Sequence, residues 1–147
     1  MNDFYSDTKT KPSHAMLEYA LGRTFGDEQQ DEDPTTLELC ERVANLLGKE
    51  SAVFLPSGTM CNEIAIAVQT SPGDEIICGS SSHIINFEGG APAAMSGVMI
   101  HPLDGKYGQF TEEDVRQALR PESRYMPISK MLCAEQTANL GGGSVWQ

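Results

Sequence analysis

Apolar and polar positions change rhythm along this chain, and the changes mark its elements. Up to about Asp33 the pattern is polar, irregular and acidic, with one short helix predicted over 12–21. Asp33-Pro34 then opens a helix, with Asp as N-cap and Pro at the first helical position, where a missing N–H leaves no bond unmade. Leu37, Cys40, Ala44 and Leu47 fall on one face at helical spacing, and Gly48 follows as the stop. Beyond it, short apolar runs alternate with helical patterns. Strands are predicted over 51–55, 75–78, 98–101 and 129–135. Helices are predicted over 60–69, 84–90 and 112–119, the last opened by a capping box at Thr111-Glu112-Glu113-Asp114. Strands alternating with helices imply an α/β fold with a mostly parallel sheet and helices on its faces. There is no internal repeat and no linker. The expected division is an N-terminal arm and acidic loop over 1–33, followed by one domain, or part of one, over 34–147.

Composition narrows the function classes. A chain of 147 residues can bury a core of ordinary size. Its formal charge of -11 excludes nucleic acid as a partner, because little would neutralise phosphates, and it disfavours an anionic membrane surface. No apolar run approaches the ~20 residues that cross a bilayer. Residues 1–5 lack a basic segment followed by an apolar core, so no signal peptide is expected. Cys40, Cys61, Cys78 and Cys133 are far apart with no CxxC pair, which points away from a metal site; three of them lie within apolar patterns and read as small buried side chains, and a reducing cytoplasm is expected.

The candidate chemistry starts at Leu55-Pro56-Ser57-Gly58-Thr59-Met60, where an apolar run gives way to a helical pattern. A helix N-terminus offers unpaired N–H groups and the positive end of its dipole, Gly58 allows close approach, and Ser57 and Thr59 add hydroxyls. His83 follows Gly79-Ser80-Ser81-Ser82, at the expected carboxyl end of a strand, where ligands of open α/β sheets gather. Glu88 follows one to two helical turns later. Each has a plainer reading: an N-cap turn, a loop histidine with a local hydrogen bond, and a solvated helix carboxylate. Together, a phosphate cup and a flat ring suggest a phosphorylated aromatic cofactor, with pyridoxal 5'-phosphate the first candidate. A flavodoxin-like or other nucleotide-binding domain lacks support, since neither GxGxxG nor GxxxxGK[ST] occurs.

These residues resemble the threonine aldolase / aromatic amino acid β-eliminating lyase family. The matches run in order: Ser6-Asp7-Thr8 with Thr10-Lys11-Pro12, Gly26-Asp27-Glu28, Glu32-Asp33-Pro34-Thr35, and 54–62 around Ser57-Gly58-Thr59. Gly73-Asp74-Glu75, Ser82-His83-Ile84, Phe87-Glu88-Gly89-Gly90-Ala91, Ser96-Gly97-Val98-Met99, Arg120-Pro121, Glu135-Gln136-Thr137-Ala138-Asn139 and Gly142-Gly143 follow. The resemblance implies the large domain of the aspartate-aminotransferase-like fold (fold type I), three-layered and here incomplete. It implies pyridoxal phosphate held by Ser57, Gly58 and Thr59. His83 would stack on its ring and take part in proton transfer. Ser6 would contact the substrate carboxylate, and Glu88 would lie near the substrate end of the cleft. The implied activity is carbon–carbon cleavage of β-hydroxy amino acids, threonine giving glycine and acetaldehyde, in a homotetramer or homodimer.

The match departs from the family at several points. The Schiff-base lysine would lie beyond position 147, and none of Lys9, Lys11, Lys49, Lys106 and Lys130 stands in its context. The Asp-Gly-Ala-Arg segment that would pair with the pyridine nitrogen and the phosphate is absent. Ala138 stands where the family often has a histidine facing the substrate hydroxyl, and Tyr5 and Gln30 replace an Arg and a Tyr at the substrate end. The chain is therefore expected to be an N-terminal fragment that is inactive and unstable alone. A non-catalytic remnant, or a lyase acting on another β-substituted amino acid, are the alternatives.

Overall fold

The computed structural model describes Asp3 and residues 5–147; Met1, Asn2 and Phe4, part of the opening segment read as lacking a signal peptide, lie outside the described residues. The chain divides into two compact units, 1–54 and 55–147. The helix that starts at Pro34 lies within the first of these units.

In the first unit, α1 (His14–Leu21) is capped by Ser13, whose side chain accepts from the Met16 N–H. Helix α2 (Pro34–Leu47) begins as the sequence predicts. Asp33 Oδ1 accepts from the Thr36 N–H at 2.7 Å, and its Oδ2 accepts from the Gly26 N–H at 2.9 Å. One carboxylate thus satisfies an orphan helix donor and pins the preceding loop. The loop needs glycine there, because a Cβ on Gly26 would lie 2.1 Å from the Glu32 carbonyl oxygen. At the other end Gly48 closes α2 at φ 62, the left-handed region where a side chain is strained.

In the second unit, α3 (Gly58–Gln69) leads to β1 (Glu75–Gly79), a four-residue α4 (His83–Asn86), a single π-helical turn (Pro92–Ser96), β2 (Met99–Leu103), α5 (Glu112–Ala118) and β3 (Ser129–Cys133). The three strands form one parallel sheet in the order β2-β1-β3, with Ile77 opposite His101 and Leu132, and Cys78 opposite Pro102 and Cys133. The central strand is buried at every position. Alternation along it divides the interior. Ile76 and Cys78 pack with Ile66 of α3, Ile84 of α4 and Val98. Ile77 packs on the opposite face with Leu103, Phe110 and Ala118 of α5. The result is helix–sheet–helix layering around one strand. Full burial of a side chain such as Ile76 contributes roughly 1.5–3 kcal/mol.

Glu75 opens β1 with no exposed surface. Its carboxylate accepts from Arg120 Nε at 2.7 Å and from Ser129 Oγ at 3.1 Å, and His101 Nδ1 lies 3.5 Å away. A buried charge persists when it is paired and hydrogen-bonded in this way.

Four expectations change. Residues 51–55 form no strand, and Val53 and Phe54 are largely exposed. An apolar run becomes a strand only when a neighbour takes its backbone N–H and C=O groups, and this segment pairs with none among the described residues. The helix expected over 84–90 shortens to His83–Asn86, because Gly89 and Gly90 take positive φ (62 and 74) and turn the chain into Pro92–Ser96. The helix expected to reach 119 ends at Ala118, with Leu119 already extended. The last strand ends at Cys133, before Glu135. Among the described residues no helix is long and apolar enough to cross a membrane.

Candidate functional site

The site is built on the head of α3 and on the loops that leave the carboxyl ends of β1 and β3. Ser57 is extended (φ -150, ψ 152), and its Oγ accepts from the Met60 N–H at 3.1 Å, while its carbonyl accepts from Cys61. Those bonds occupy the third and fourth helical donors. Among the described residues no protein acceptor faces the N–H groups of Gly58 and Thr59. Apart from its chain neighbours and the backbone of its own helix, no atom lies within 4 Å of the place a Gly58 Cβ would take. The helix mouth is therefore open, with two backbone donors, the Ser57 hydroxyl proton and the positive end of the α3 dipole available to an anion.

His83 follows β1. Its backbone N–H donates to Glu135 Oε2 at 2.5 Å, and Glu135 Oε1 accepts from the Asn139 N–H at 3.0 Å. Glu135, just beyond β3, thus ties together the two loops that leave adjacent parallel strands. Asn86 Nδ2 donates back to the carbonyls of Ser80 and Ser82 and tightens the turn. The His83 ring sits 5.4 Å from the Phe87 ring, tilted by 48°, and 44% of the side chain remains exposed.

Glu88 is buried, with a side chain that has no exposed surface. The plainer reading of Glu88 as a solvated carboxylate is corrected: the turn at Gly89-Gly90 folds it inward. Its Oε1 accepts from Asn62 Nδ2 at 2.6 Å and lies 2.8 Å from His83 Nδ1. Asn62 stands one turn inside α3, so the residue chain Asn62–Glu88–His83 joins that helix to the exposed ring. Glu63, next to Asn62, is also buried, and both its oxygens, like Glu88 Oε2, have no conventional donor. Burial, and then the Glu88 carboxyl beside it, raise the Glu63 acid above the ordinary carboxylate range.

The structure therefore brings His83 and Glu88 together and places Ser57, Gly58 and Thr59 on the helix that anchors them. Ser6 belongs to the N-terminal unit, where its hydroxyl lies 2.8 Å from Thr8 Oγ1. Sequence reasoning assigned no role to Asn62, Glu63 or Glu135. A signal for Glu63 existed, since it lies three residues before Ile66 and so on the core face of α3. Glu135 was read as the last residue of a strand, at the carboxyl end where ligands of open α/β sheets gather. Asn62 could be singled out only once Glu88 was seen to turn inward. Ala138 is buried, and its Cβ would lie 2.9 Å from a Cβ on Gly108. Among the described residues no group of three or more His, Cys, Asp or Glu side chains is arranged to hold a metal ion.

The chain is similar to known proteins over most of its length. The chain is 36% identical over 140 residues to the low specificity L-threonine aldolase of Escherichia coli (strain K12), covering 95% of this chain and 42% of that protein. It is 40% identical over 142 residues to an uncharacterized protein of Caenorhabditis elegans, covering 96% of this chain and 34% of that protein. It is 38% identical over 151 residues to a probable low-specificity L-threonine aldolase of Arabidopsis thaliana, covering 95% and 41%. Among solved structures, the threonine aldolase of Leishmania major superposes with a TM-score of 0.63 at 25% identity, over 69% of this chain and 30% of that one. The chain thus spans between 34% and 42% of the length of these curated relatives. Residues 3–147 match the model of the beta-eliminating lyase family. With that match running alongside an incomplete helix–sheet–helix fold and an anion-ready helix mouth, the chain belongs to the beta-eliminating lyase family.

Proposed function

We propose that this chain supplies the phosphate- and ring-binding part of a pyridoxal-phosphate-dependent lyase that cleaves the Cα–Cβ bond of β-hydroxy amino acids, threonine giving glycine and acetaldehyde. One observation carries the reading: an open helix N-terminus and an exposed imidazole belong to one hydrogen-bonded cluster, linked through Asn62 and Glu88. The residues present fit the cofactor's phosphate, because Gly58 leaves its space empty and the first α3 donors have no protein acceptor. Bound there, pyridoxal phosphate would supply the electron sink that lets a bond at the substrate Cα break.

In this reading the N–H groups of Gly58 and Thr59 and the hydroxyls of Ser57 and Thr59 bind the phosphate. His83 lies along the cofactor ring and exchanges a proton through its free nitrogen. Glu88 serves the substrate end through His83, since its own oxygens are buried. Ser6 binds the substrate carboxylate. The remainder of the active site comes from other parts of the whole protein, which works as a homotetramer or homodimer in the cytoplasm. The four cysteines, all free thiols, fit a reducing compartment. A buried Ala138 favours a second reading, in which the substrate carries another β-substituent, because alanine offers no hydrogen bond to a hydroxyl.

The test is a spectrophotometric titration of the full-length protein with pyridoxal phosphate, alongside Gly58→Ala. Alanine is a better helix former than glycine and meets no atom here, so the fold should survive. Its methyl would stand where the phosphate sits, and affinity should fall about tenfold or more, or at least ~1.4 kcal/mol. Equal affinities in the two proteins would remove the phosphate site from α3.

A further inference from the structure

We propose that Glu63 is a positioning residue: as a neutral acid it donates a hydrogen bond to Glu88, and so holds His83 in the tautomer that carries its proton on Nδ1. The inference deepens the reading of His83 as the ring that faces the cofactor, and rests on it.

The buried acids around His83 are short of hydrogen-bond donors. Two carboxyl groups, Glu63 and Glu88, lie buried within hydrogen-bonding reach of each other. Three of their four oxygens are buried without a conventional donor. The fourth, Glu88 Oε1, meets both Asn62 Nδ2 and His83 Nδ1. Among the described residues no lysine or arginine pairs with either group. Two anions buried beside each other with no cation do not coexist, so the pair holds one proton.

Position decides which acid holds it. Glu88 Oε1 already receives the Asn62 amide. Glu63 has no donor other than the proton itself. A protonated Glu63 therefore donates to Glu88 Oε2, and every buried oxygen of Glu88 is satisfied. An ionised Glu88 is acceptor-only, so the 2.8 Å contact requires the proton on His83 Nδ1. Nε2 is then the nitrogen left to accept a proton. The remaining ionisable groups on the packed elements do not alter this. The Cys78 and Cys133 thiols are kept neutral by burial, and the Glu135 carboxylate is engaged by the His83 and Asn139 N–H groups.

The test uses the full-length protein with and without pyridoxal phosphate. Nitrogen-15 NMR of the His83 ring reads its tautomer, and carbon-13 NMR of glutamate carboxyls reads which acid is protonated. The wild type should show Nδ1–H, and a neutral Glu63 carboxyl at neutral pH. Glu63→Gln still offers an N–H to Glu88 and should keep that ring pattern. Glu63→Leu offers none. Glu88 should then take the proton itself and donate it to Nδ1, moving the ring proton to Nε2.

A folded Glu63→Leu protein with the wild-type ring pattern overturns the proposal. So does an ionised Glu63 in the wild type at neutral pH, which needs no variant to fold. If cofactor binds while the ring ignores Glu63→Leu, the positioning role fails and the cofactor reading stands. If the ring responds as expected but no cofactor binds, Glu63 keeps its role and the cofactor reading fails.

Discussion

Arg120 Nε donates to Glu75 Oε2 across 2.7 Å, and joins the start of the central strand to the residue just past α5 and its closing Leu119. Glu75 has no exposed surface, whereas the Arg120 side chain keeps a third of its own. Removing the arginine leaves a carboxylate in the interior with one hydroxyl donor and a nearby imidazole. Arg120→Ala should destabilise the second unit by about 3 kcal/mol, the lower end for a broken buried pair, because the arginine is partly solvated. Urea unfolding of the variant and the wild type would measure it. A change below about 0.5 kcal/mol would mean the pair behaves as a surface ion pair.

Ile66 is the α3 side chain most deeply set against β1, with 1% exposure. It packs with Ile76, Cys78, Ile84 and Val98. Ile66→Ala should cost about 2–4 kcal/mol, as a lost transfer term plus a cavity. Its effect should appear as faster amide exchange in β1, whereas truncating exposed Val68 on the same helix should leave exchange unchanged.

The four thiols should react in an order set by burial. Cys133 is pushed up to about 11 by burial and then by Cys78 on the neighbouring strand, and Cys78 is itself raised by burial. Thiolate is the reactive form, so both should resist alkylation at pH 8. Exposed Cys61 should be modified first. Mass spectrometry of peptides after brief iodoacetamide treatment reads the order directly. Early labelling of Cys133 would show that β3 opens readily.

Stability should depend on pH with opposite signs at the two kinds of carboxyl. Asp114 is lowered by its bonds to the Thr111 hydroxyl and N–H, and Asp33 by the Gly26 and Thr36 N–H groups. A group with a depressed folded value contributes stability above its ordinary range, lost as pH falls through the folded value. Glu63 is raised, so its contribution is present below the ordinary carboxylate range and is lost as pH rises through the folded value. Melting temperature against pH should therefore lose its acid limb in part with Asp114→Asn, and its opposite slope with Glu63→Gln. A Glu63→Gln curve parallel to the wild type would show that Glu63 titrates as an ordinary acid.

Gly26→Ala should disrupt the first unit without touching the second. Its Cβ would fall 2.1 Å from the Glu32 carbonyl oxygen, so the loop must move and release the Asp33 side chain that starts α2. Proteolysis within 22–34 should accelerate, and backbone amide signals of β1 should stay in place. A loop no more easily cut than the wild type would show that the turn absorbs the methyl group.

Local chemistry was written plainly in the chain. Asp33-Pro34 and Gly48 bound α2, Ser57 and Thr111 start their helices, and the short apolar run over 75–78 marks a buried strand, because caps and local patterns depend on neighbours a few residues away. The open mouth of α3 was legible for the same reason. Tertiary structure alone decided the rest. Residues 51–55 have the composition of a strand, yet only a pairing backbone makes one, and among the described residues none pairs with them. Glu88 looked like a surface acid until Gly89 and Gly90 turned it beneath His83. Asn62 and Glu135 gained meaning only when contacts 26 and 52 residues apart closed. A buried carboxyl's role is set by what it faces across the fold, and that partner is not encoded in its immediate sequence.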